Sequence, residues 1–228
     1  MTIRYRPDLI QGSDEWLAAR CGMLTASEMK LILTPTLKVA KNDKERAHLY
    51  ELLAQRITRY VEPHYVSDDM LRGQDDEATA LDIYAEHYAP IHDMGFITND
   101  KWGFQIGYSP DALVGDVGLV EVKSRRQKFQ IETFLIHVTD GTIPPEYMLQ
   151  IQTGLMVSER KWCDLVSYSA GLPMAVIRAY PDEVVQQAIA DAAGFFELRI
   201  TEAHGRYRAA VETSNAIPTE RVAREIIV

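Results

Sequence analysis

Cysteine, long hydrophobic runs and low-complexity stretches are scarce in this sequence, and each shortage excludes a class of protein. Two cysteines among 228 residues, Cys21 and Cys163, cannot by themselves form a four-cysteine zinc or iron–sulfur site. We expect both to be buried free thiols of a protein in a reducing cytoplasm. No run approaches the ~18 apolar residues of a membrane span. No apolar run follows the basic residues near the N-terminus, so we expect neither a membrane segment nor a secretory signal.

Basic residues are outnumbered by acidic ones, 24 to 33, which gives a net charge of −9. Such a balance argues against a protein that coats nucleic acid. The bases are nevertheless concentrated in two segments, residues 30–46 and 119–130. These segments are either solvated faces or parts of a cleft that binds an anion, and charge alone leaves both alternatives open.

Repeats and Gly/Ser linkers are also absent, so we predict one domain over residues 1–228. Hydrophobic periodicity predicts N-terminal helices, a sheet core at about 92–180 and a long C-terminal helix. The order indicates a mixed α/β or α+β fold, with a central mixed β-sheet flanked by helices. The predicted helices cover 13–20, a segment starting at Thr25, 43–60, 68–88 with its start at Ser67, part of 127–136, 144–157 and 181–211. The predicted strands cover 92–98, 101–108, 111–114, 119–124, 161–169 and 174–180.

The most informative segment is a predicted hairpin that begins at Asp111 and contains Glu121 and Lys123. Residues two apart on a strand point to the same face, so Glu121 and Lys123 share one face. A turn centred on Asp116 would set Asp111 opposite Glu121, with Cβ atoms ~5 Å apart. Two facing carboxylates repel unless a cation lies between them, and oxygen ligands favour Mg²⁺ or Mn²⁺. The ordinary alternative is a surface ladder of Glu and Lys.

Two helical residues are candidates for the same cleft. Glu77 precedes Leu81, Tyr84 and Tyr88 at helical spacing, which places it on the apolar stripe of its helix. A carboxylate facing inward needs a partner, and a metal ion is one. Gln150 lies on a later helix and is a second candidate. On spacing alone, a Glu with its head in water and a surface Gln remain alternatives.

A possible phosphate site lies near the N-terminus. Thr25-Ala26-Ser27-Glu28 fits a helix capping box, which puts Ser27 in the first turn of a helix. Free backbone N–H groups in that turn attract phosphate, and Arg20 is placed to add a bidentate contact. A normally capped helix beside a surface arginine is the alternative.

Taken together and in order, the motifs resemble lambda exonuclease and the YqaJ-type viral recombinases, which share the PD-(D/E)xK nuclease core. The resemblance extends from about residue 11 to residue 168. It rests on QGSDEW at 11–16, RCGMLTASE at 20–28, 73–77, SPD at 109–111, EVK at 121–123 and YMLQIQ at 147–152.

The resemblance implies a restriction-endonuclease-like fold and specific roles for individual residues. It assigns metal binding to Asp111, Glu121, the Val122 carbonyl and Glu77. Lys123 is implied as the catalytic lysine, acting with Asp111 and Glu121, and Gln150 supports the site. The 5′-terminal phosphate would contact Arg20, Ser27 and Ser109. DNA would also contact Arg125 or Arg126, and the resemblance does not decide between these two.

The implied activity is that of an alkaline exonuclease of the phage type, encoded by a phage or prophage and acting in the bacterial cytoplasm. Such enzymes use two Mg²⁺ ions per site, with Mn²⁺ able to substitute, and digest one strand of linear double-stranded DNA processively from its 5′ end. They release mononucleotides and leave 3′ overhangs. They form a homotrimeric ring and act with a single-strand annealing recombinase.

Two other functions are compatible with the same residues. One is an endonuclease of the PD-(D/E)xK superfamily, restriction- or resolvase-like, which would cut closed circular DNA. The other is a catalytically silent DNA-binding or phage assembly module, which would bind DNA without a Mg²⁺-dependent product.

Overall fold

The computed structural model describes residues 2–63 and 68–221. Its strands are β1 Ile3–Arg6, β2 Leu24–Thr25, β3 Phe96–Asn99, β4 Ile106–Tyr108, β5 Ala112–Val114, β6 Gly118–Ser124, β7 Trp162–Tyr168 and β8 Ala175–Ala179. Its α-helices are α1 Asp14–Arg20, α2 Met29–Ile32, α3 Asp43–Thr58, α4 Asp68–His87, α5 Gln127–Glu132, α6 Pro145–Ser158 and α7 Glu183–Thr213. A 3₁₀ turn, Ala26–Glu28, leads into α2, and a π-helical turn, Thr133–Val138, continues α5.

The strands form two mixed sheets of four strands each. The first has the order β1-β3-β4-β2, and the second has the order β5-β6-β7-β8. In the second sheet, β6 runs antiparallel to β5 and parallel to β7. A parallel pair needs a long crossover, and the crossover here contains α5 and α6.

Helix α6 is the central helix of the crossover and is buried on nearly every side. Residues 151–158 are all buried, and apolar side chains surround them. Gln150 is only half-buried, because this turn of α6 faces an open cavity.

The two faces of β6 have different neighbours. Val120 and Val122 pack with Tyr84 of α4 in one apolar cluster. Leu119, on the opposite face, belongs to the main core with α6 and α7. Glu121 and Lys123 alternate with the valines, so they lie on the Leu119 face, as the strand period predicts.

The predicted mixed α/β class is confirmed, although the strands form two sheets rather than one central sheet. The helices and the hairpin lie within a few residues of their predicted bounds. Two predicted strands are shorter than expected, because residues 92–95 and 101–105 are largely irregular apart from a bridge between His92 and Leu113. Strands β1 and β2 were not predicted. Ser67, the predicted start of the fourth helix, lies outside the described residues.

Two smaller expectations need correction. Tyr88 was predicted on the inward stripe of α4, but it follows the end of the helix and is 56% exposed. Cys163 is a buried free thiol as predicted, whereas Cys21 is a free thiol that is only half-buried. Within residues 2–63 and 68–221, no helix combines the length and apolar character that crossing a bilayer requires.

Candidate active site

The hairpin register places Asp111 opposite Glu121. Ala112 pairs with Val120, and Asp111 immediately precedes β5, so the same register continues to Glu121. The Oδ2 atom of Asp111 accepts a 2.5 Å hydrogen bond from the backbone N–H of Val122. Both carboxyl groups line a cavity of about 190 Å³. The sequence-based prediction of two facing carboxyl groups therefore agrees with the geometry.

Glu121 is 1% exposed and both of its carboxylate oxygens accept hydrogen bonds. Lys123 Nζ donates to Oε1 at 2.7 Å, and Gln150 Nε2 donates to the same oxygen. The hydroxyl of Tyr108 donates to Oε2 at 3.0 Å. These three donors fix the carboxylate in one orientation, toward the cavity that Asp111 shares.

A single stripe of α6 contacts three parts of this site. The Tyr147 ring lies 5.5 Å from Lys123 Nζ, and Gln150 contacts Glu121. Gly154 lies against the ring of Tyr108, so close that a Cβ atom there would be 2.7 Å from Cζ. Residues 147, 150 and 154 follow the spacing of one helix face. The absence of a side chain at Gly154 therefore lets α6 come close enough for Gln150 to contact Glu121.

The acidic residues of the cavity strongly influence one another. Burial, together with the charges of Glu121 and Glu77, raises the pKa of Asp111 well above its usual value. Burial and the charge of Glu121 also raise the pKa of Glu77. Burial opposes the charge on Lys123, but Glu121 and Asp111 outweigh it and raise the pKa of the ammonium group. The cavity therefore brings three carboxyl groups together around the single ammonium group of Lys123.

The donor set fits a hard divalent cation. Among the described residues, no three His, Cys, Asp or Glu side chains form a complete metal site by themselves. The available donors are two carboxyl groups, Asp111 and Glu121, and the backbone of Val122, with Glu77 also lining the cavity. Oxygen donors without sulfur or imidazole suit Mg²⁺ or Mn²⁺. A cation between the two carboxyl groups would remove the repulsion that, together with burial, raises the pKa of Asp111.

The three predicted phosphate contacts, Arg20, Ser27 and Ser109, line the same cavity. Arg20 Nη2 donates to Thr25 Oγ1 at 3.2 Å, and its guanidinium carbon lies 4.1 Å from the centre of the Trp16 ring. Burial lowers the pKa of Arg20, and the charge of Glu28 opposes that shift. An arginine remains charged despite such a shift.

The helical segment that carries Ser27 is shorter than predicted. The capping box between Thr25 and Glu28 is present, but it caps a three-residue 3₁₀ turn followed by the four-residue α2. A segment of this length carries only a small helix dipole. The side chains of Arg20, Ser27 and Ser109 are therefore the main candidates for binding an anion here.

The two arginines that follow Lys123 do not line this cavity. Arg125 is 8% exposed, and its Nη1 donates to Glu146 at 2.9 Å and to the Tyr147 hydroxyl at 2.6 Å. These contacts hold α6 against the end of β6, which counts against Arg125 as a direct DNA contact. Arg126 is exposed at the start of α5.

A second cavity, of about 700 Å³, adjoins the first, and Gln11, Arg20 and Glu77 line both. Its remaining lining includes apolar side chains such as Trp16 and Leu52, together with the amide of Gln55. The volume falls within the range of ordinary ligand-binding clefts. The acidic site therefore opens into a space large enough for a segment of substrate.

Sequence reasoning missed Tyr108 and Trp16. Tyr108 was read only as a strand residue, and nothing in its spacing shows that its hydroxyl contacts Glu121. Trp16 did carry a signal, because it precedes Arg20 by four residues and such pairs lie on one face of a helix.

The hairpin carries the acidic cluster and Lys123, and the buried helix α6 packs over it. This arrangement defines a nuclease-type fold. Residues 15–161 match the model of the YqaJ-like viral recombinase domain, and the chain belongs to that family.

Solved structures agree with this membership. The structure of LHK-Exo in complex with dAMP is 30% identical, with a TM-score of 0.76, over 89% of this chain and 100% of that chain. Another structure, of the alkaline exonuclease LHK-Exo from Laribacter hongkongensis, is 30% identical with a TM-score of 0.70, over 87% of this chain and 100% of that one.

A phage-related exonuclease from Haemophilus somnus 129PT is 11% identical, with a TM-score of 0.53, over 79% of this chain and 96% of that one. At this identity the likeness concerns the fold alone. A comparison with curated protein sequences finds no relative.

Proposed function

We propose that the protein is a Mg²⁺-dependent exonuclease that digests one strand of linear double-stranded DNA from its 5′ end. It releases 5′-mononucleotides and leaves 3′ single-stranded overhangs for recombination by strand annealing. One observation carries the proposal: the predicted phosphate contacts and the acidic cluster line the same cavity. An anchored 5′-terminal phosphate would therefore lie beside the groups that would position the attacking water at the next phosphodiester. Family membership and the alkaline exonuclease LHK-Exo support the same activity.

Asp111, Glu121 and the Val122 carbonyl would hold the cations, two per site, with Glu77 assisting. Bound Mg²⁺ or Mn²⁺ would lower the pKa of a bound water and neutralise charge on the scissile phosphate. Lys123 lines the cavity beside Glu121, so its ammonium group would donate to a phosphate oxygen as charge develops there. Gln150 and Tyr108 orient Glu121.

The assembly and partners belong to the same proposal. A homotrimeric ring around the DNA would give processivity, because phosphate contacts carry little sequence information and allow sliding. A ring would also reconcile DNA binding with a net charge of −9, if bases line its opening and acids cover its outside. The overhang would pass to a single-strand annealing recombinase in the bacterial cytoplasm.

The test is digestion of a linear duplex that is labelled in each strand and carries a 5′ phosphate at one end only. We expect loss of the phosphorylated strand from its 5′ end, release of mononucleotides, and no digestion in EDTA. Cutting of closed circular DNA would instead indicate an endonuclease. Binding without any product, under Mg²⁺ or Mn²⁺, would indicate a binding module.

The matched variants are Lys123→Ala and Lys161→Ala. Lys123→Ala should lower the cleavage rate at least about a hundredfold, as loss of a transition-state donor does, while DNA binding persists. Lys161 is exposed just before β7, at the opposite end of the strand pair, so its replacement should leave the rate unchanged. Near-normal cleavage by Lys123→Ala would remove Lys123 from the mechanism.

A further inference from the structure

Trp16 contacts two of the predicted phosphate-binding residues, Arg20 and Ser109, although it lies on a different element from Ser109. It lies on α1 and is 8% exposed. Its indole Nε1 lies 2.9 Å from Ser109 Oγ and 3.2 Å from the Gly95 carbonyl oxygen, and donates to both. Its ring supports the guanidinium group of Arg20, 4.1 Å from the ring centre. One buried side chain therefore contacts both Arg20 and Ser109.

The chemistry of these groups gives the contact with Ser109 a direction. An indole nitrogen only donates, whereas a serine hydroxyl has one hydrogen to donate and two lone pairs that accept. Because Ser109 Oγ accepts from Trp16, its own hydrogen is left to point toward another acceptor. Ser109 lines the cavity beside the acidic cluster, and a phosphate oxygen there would be such an acceptor.

The contact with Arg20 works in a similar way. A guanidinium group has five N–H donors in one plane, and Thr25 Oγ1 accepts from one terminal nitrogen at 3.2 Å. The Trp16 face supports the plane without using any donor, since a cation over an aromatic ring is attracted to its π-face. The remaining donors of Arg20 are thus held in a fixed plane at the cavity that it shares with Ser109.

We infer that Trp16 is a positioning residue for recognition of the 5′-terminal phosphate. It sets Ser109 as a hydrogen-bond donor to the phosphate and holds Arg20 in the plane from which it contacts the same group. This inference rests on the proposed exonuclease function and goes beyond it, because it assigns end selectivity to a side chain that itself touches no phosphate.

The experiment compares Trp16→Phe with Trp102→Phe, the same substitution at a partly buried tryptophan that lines neither cavity. Phenylalanine keeps an aromatic face for Arg20 but cannot donate to Ser109. The quantity measured is the ratio of kcat/KM for ends with a 5′ phosphate to kcat/KM for ends with a 5′ hydroxyl. Trp16→Phe should lower this ratio about tenfold, the effect of misplacing one hydrogen bond to a charged group. Trp102→Phe should leave the ratio at the parent value.

Ser109→Ala tells whether Trp16 acts through Ser109. If it does, the double variant Trp16→Phe/Ser109→Ala should lose little more end selectivity than Ser109→Ala alone, because coupled positions are not additive. Full additivity would overturn the inference. An equal loss of kcat/KM on both kinds of end would also overturn it, since that is the result of a purely structural role.

A fluorescence measurement keeps the inference testable if Trp16→Phe does not fold. The chain has three tryptophans, so Trp102→Phe/Trp162→Phe leaves Trp16 as the only tryptophan. In EDTA, a 5′-phosphorylated oligonucleotide should change the emission of Trp16, and its 5′-hydroxyl counterpart should not. Unchanged emission with both would overturn the inference. A parent enzyme that treats both ends alike would overturn the proposed end recognition as well.

Discussion

Replacement of Gly154 by alanine tests whether close approach of α6 builds the acidic site. The added Cβ atom would lie 2.7 Å from Tyr108 Cζ and 2.8 Å from Cε1, and the Tyr108 ring is fully buried. Such overpacking destabilises a core by about 1–3 kcal/mol. Alanine is favoured over glycine inside a helix by about 1 kcal/mol, which offsets part of this loss. We therefore expect a net loss of up to about 2 kcal/mol in the free energy of unfolding.

The functional consequence follows from what Tyr108 and α6 hold. The Tyr108 hydroxyl and the Gln150 amide both donate to Glu121, so a shift of the ring disturbs the first contact and a shift of the helix disturbs the second. A displacement of about 1 Å in a catalytic group lowers rates about a hundredfold. We expect kcat/KM to fall between about tenfold and a hundredfold, measured on phosphorylated linear duplex.

The control is Gly205→Ala, the same substitution inside α7, where an added Cβ atom meets nothing within 4 Å. It should stabilise the protein by about 0.5–1 kcal/mol and leave activity unchanged. For a chain of this size, 1 kcal/mol corresponds to about 2–4 °C in Tm, so the two variants should shift Tm in opposite directions. The reasoning is refuted if Gly154→Ala raises Tm as Gly205→Ala does, or if it keeps full activity.

Three further substitutions probe the site and the sheet beneath it. Tyr108→Phe keeps the ring but removes the donor to Glu121, so the Mg²⁺ concentration for half-maximal activity should rise about tenfold in a metal titration; an unchanged value would dismiss the contact. The pKa of Asp111 is higher in the folded protein than in the unfolded chain, so the protonated carboxyl group favours the folded state. This contribution to stability is fully present below the unfolded-state pKa, pH ~4, and is lost as the pH rises through the folded-state pKa. In EDTA, Asp111→Asn should therefore melt above the parent at pH 8 and close to it at acidic pH; a lower Tm at pH 8 would contradict this. Asp164 is buried and accepts two hydrogen bonds from the partly exposed Arg178, so Asp164→Ala should lower the free energy of unfolding by about 2–3 kcal/mol in urea melts, with cleavage by the folded enzyme retained.

The register of the hairpin could be predicted because it depends only on residues that are close together in the sequence. The turn between Val114 and Gly118 fixes which residues face each other, and alternation along β6 fixes which face Glu121 occupies. Strand β2 has no such signal. It is two residues long and pairs with β4 some 80 residues away, so neither periodicity nor turn chemistry indicates it.

The role of Arg125 shows a second limit. The resemblance implied a DNA contact for Arg125 or Arg126 without deciding between them, and the sequence around Arg125 does not indicate its partners, because β6 ends at Ser124 and the chain then turns. Glu146 and Tyr147, which accept from Arg125, lie more than 20 residues further along. The order of the motifs indicated which side chains share the site, whereas the partners of Arg125 depend on how α6 packs.

The stripe of α6 formed by residues 147, 150 and 154 makes the site sensitive to a single geometric variable, the rotation of one helix about its axis. Each residue of an α-helix turns the chain by about 100°. Loss or gain of one residue between Tyr147 and Gly154 would therefore turn part of the stripe away, so that the contacts to Lys123, Glu121 and Tyr108 could no longer be made together. The same change in the connection at 139–143 leaves the residues of the helix in the same relative positions, so the stripe can keep its orientation. Length variation should thus be tolerated before α6 and excluded within it.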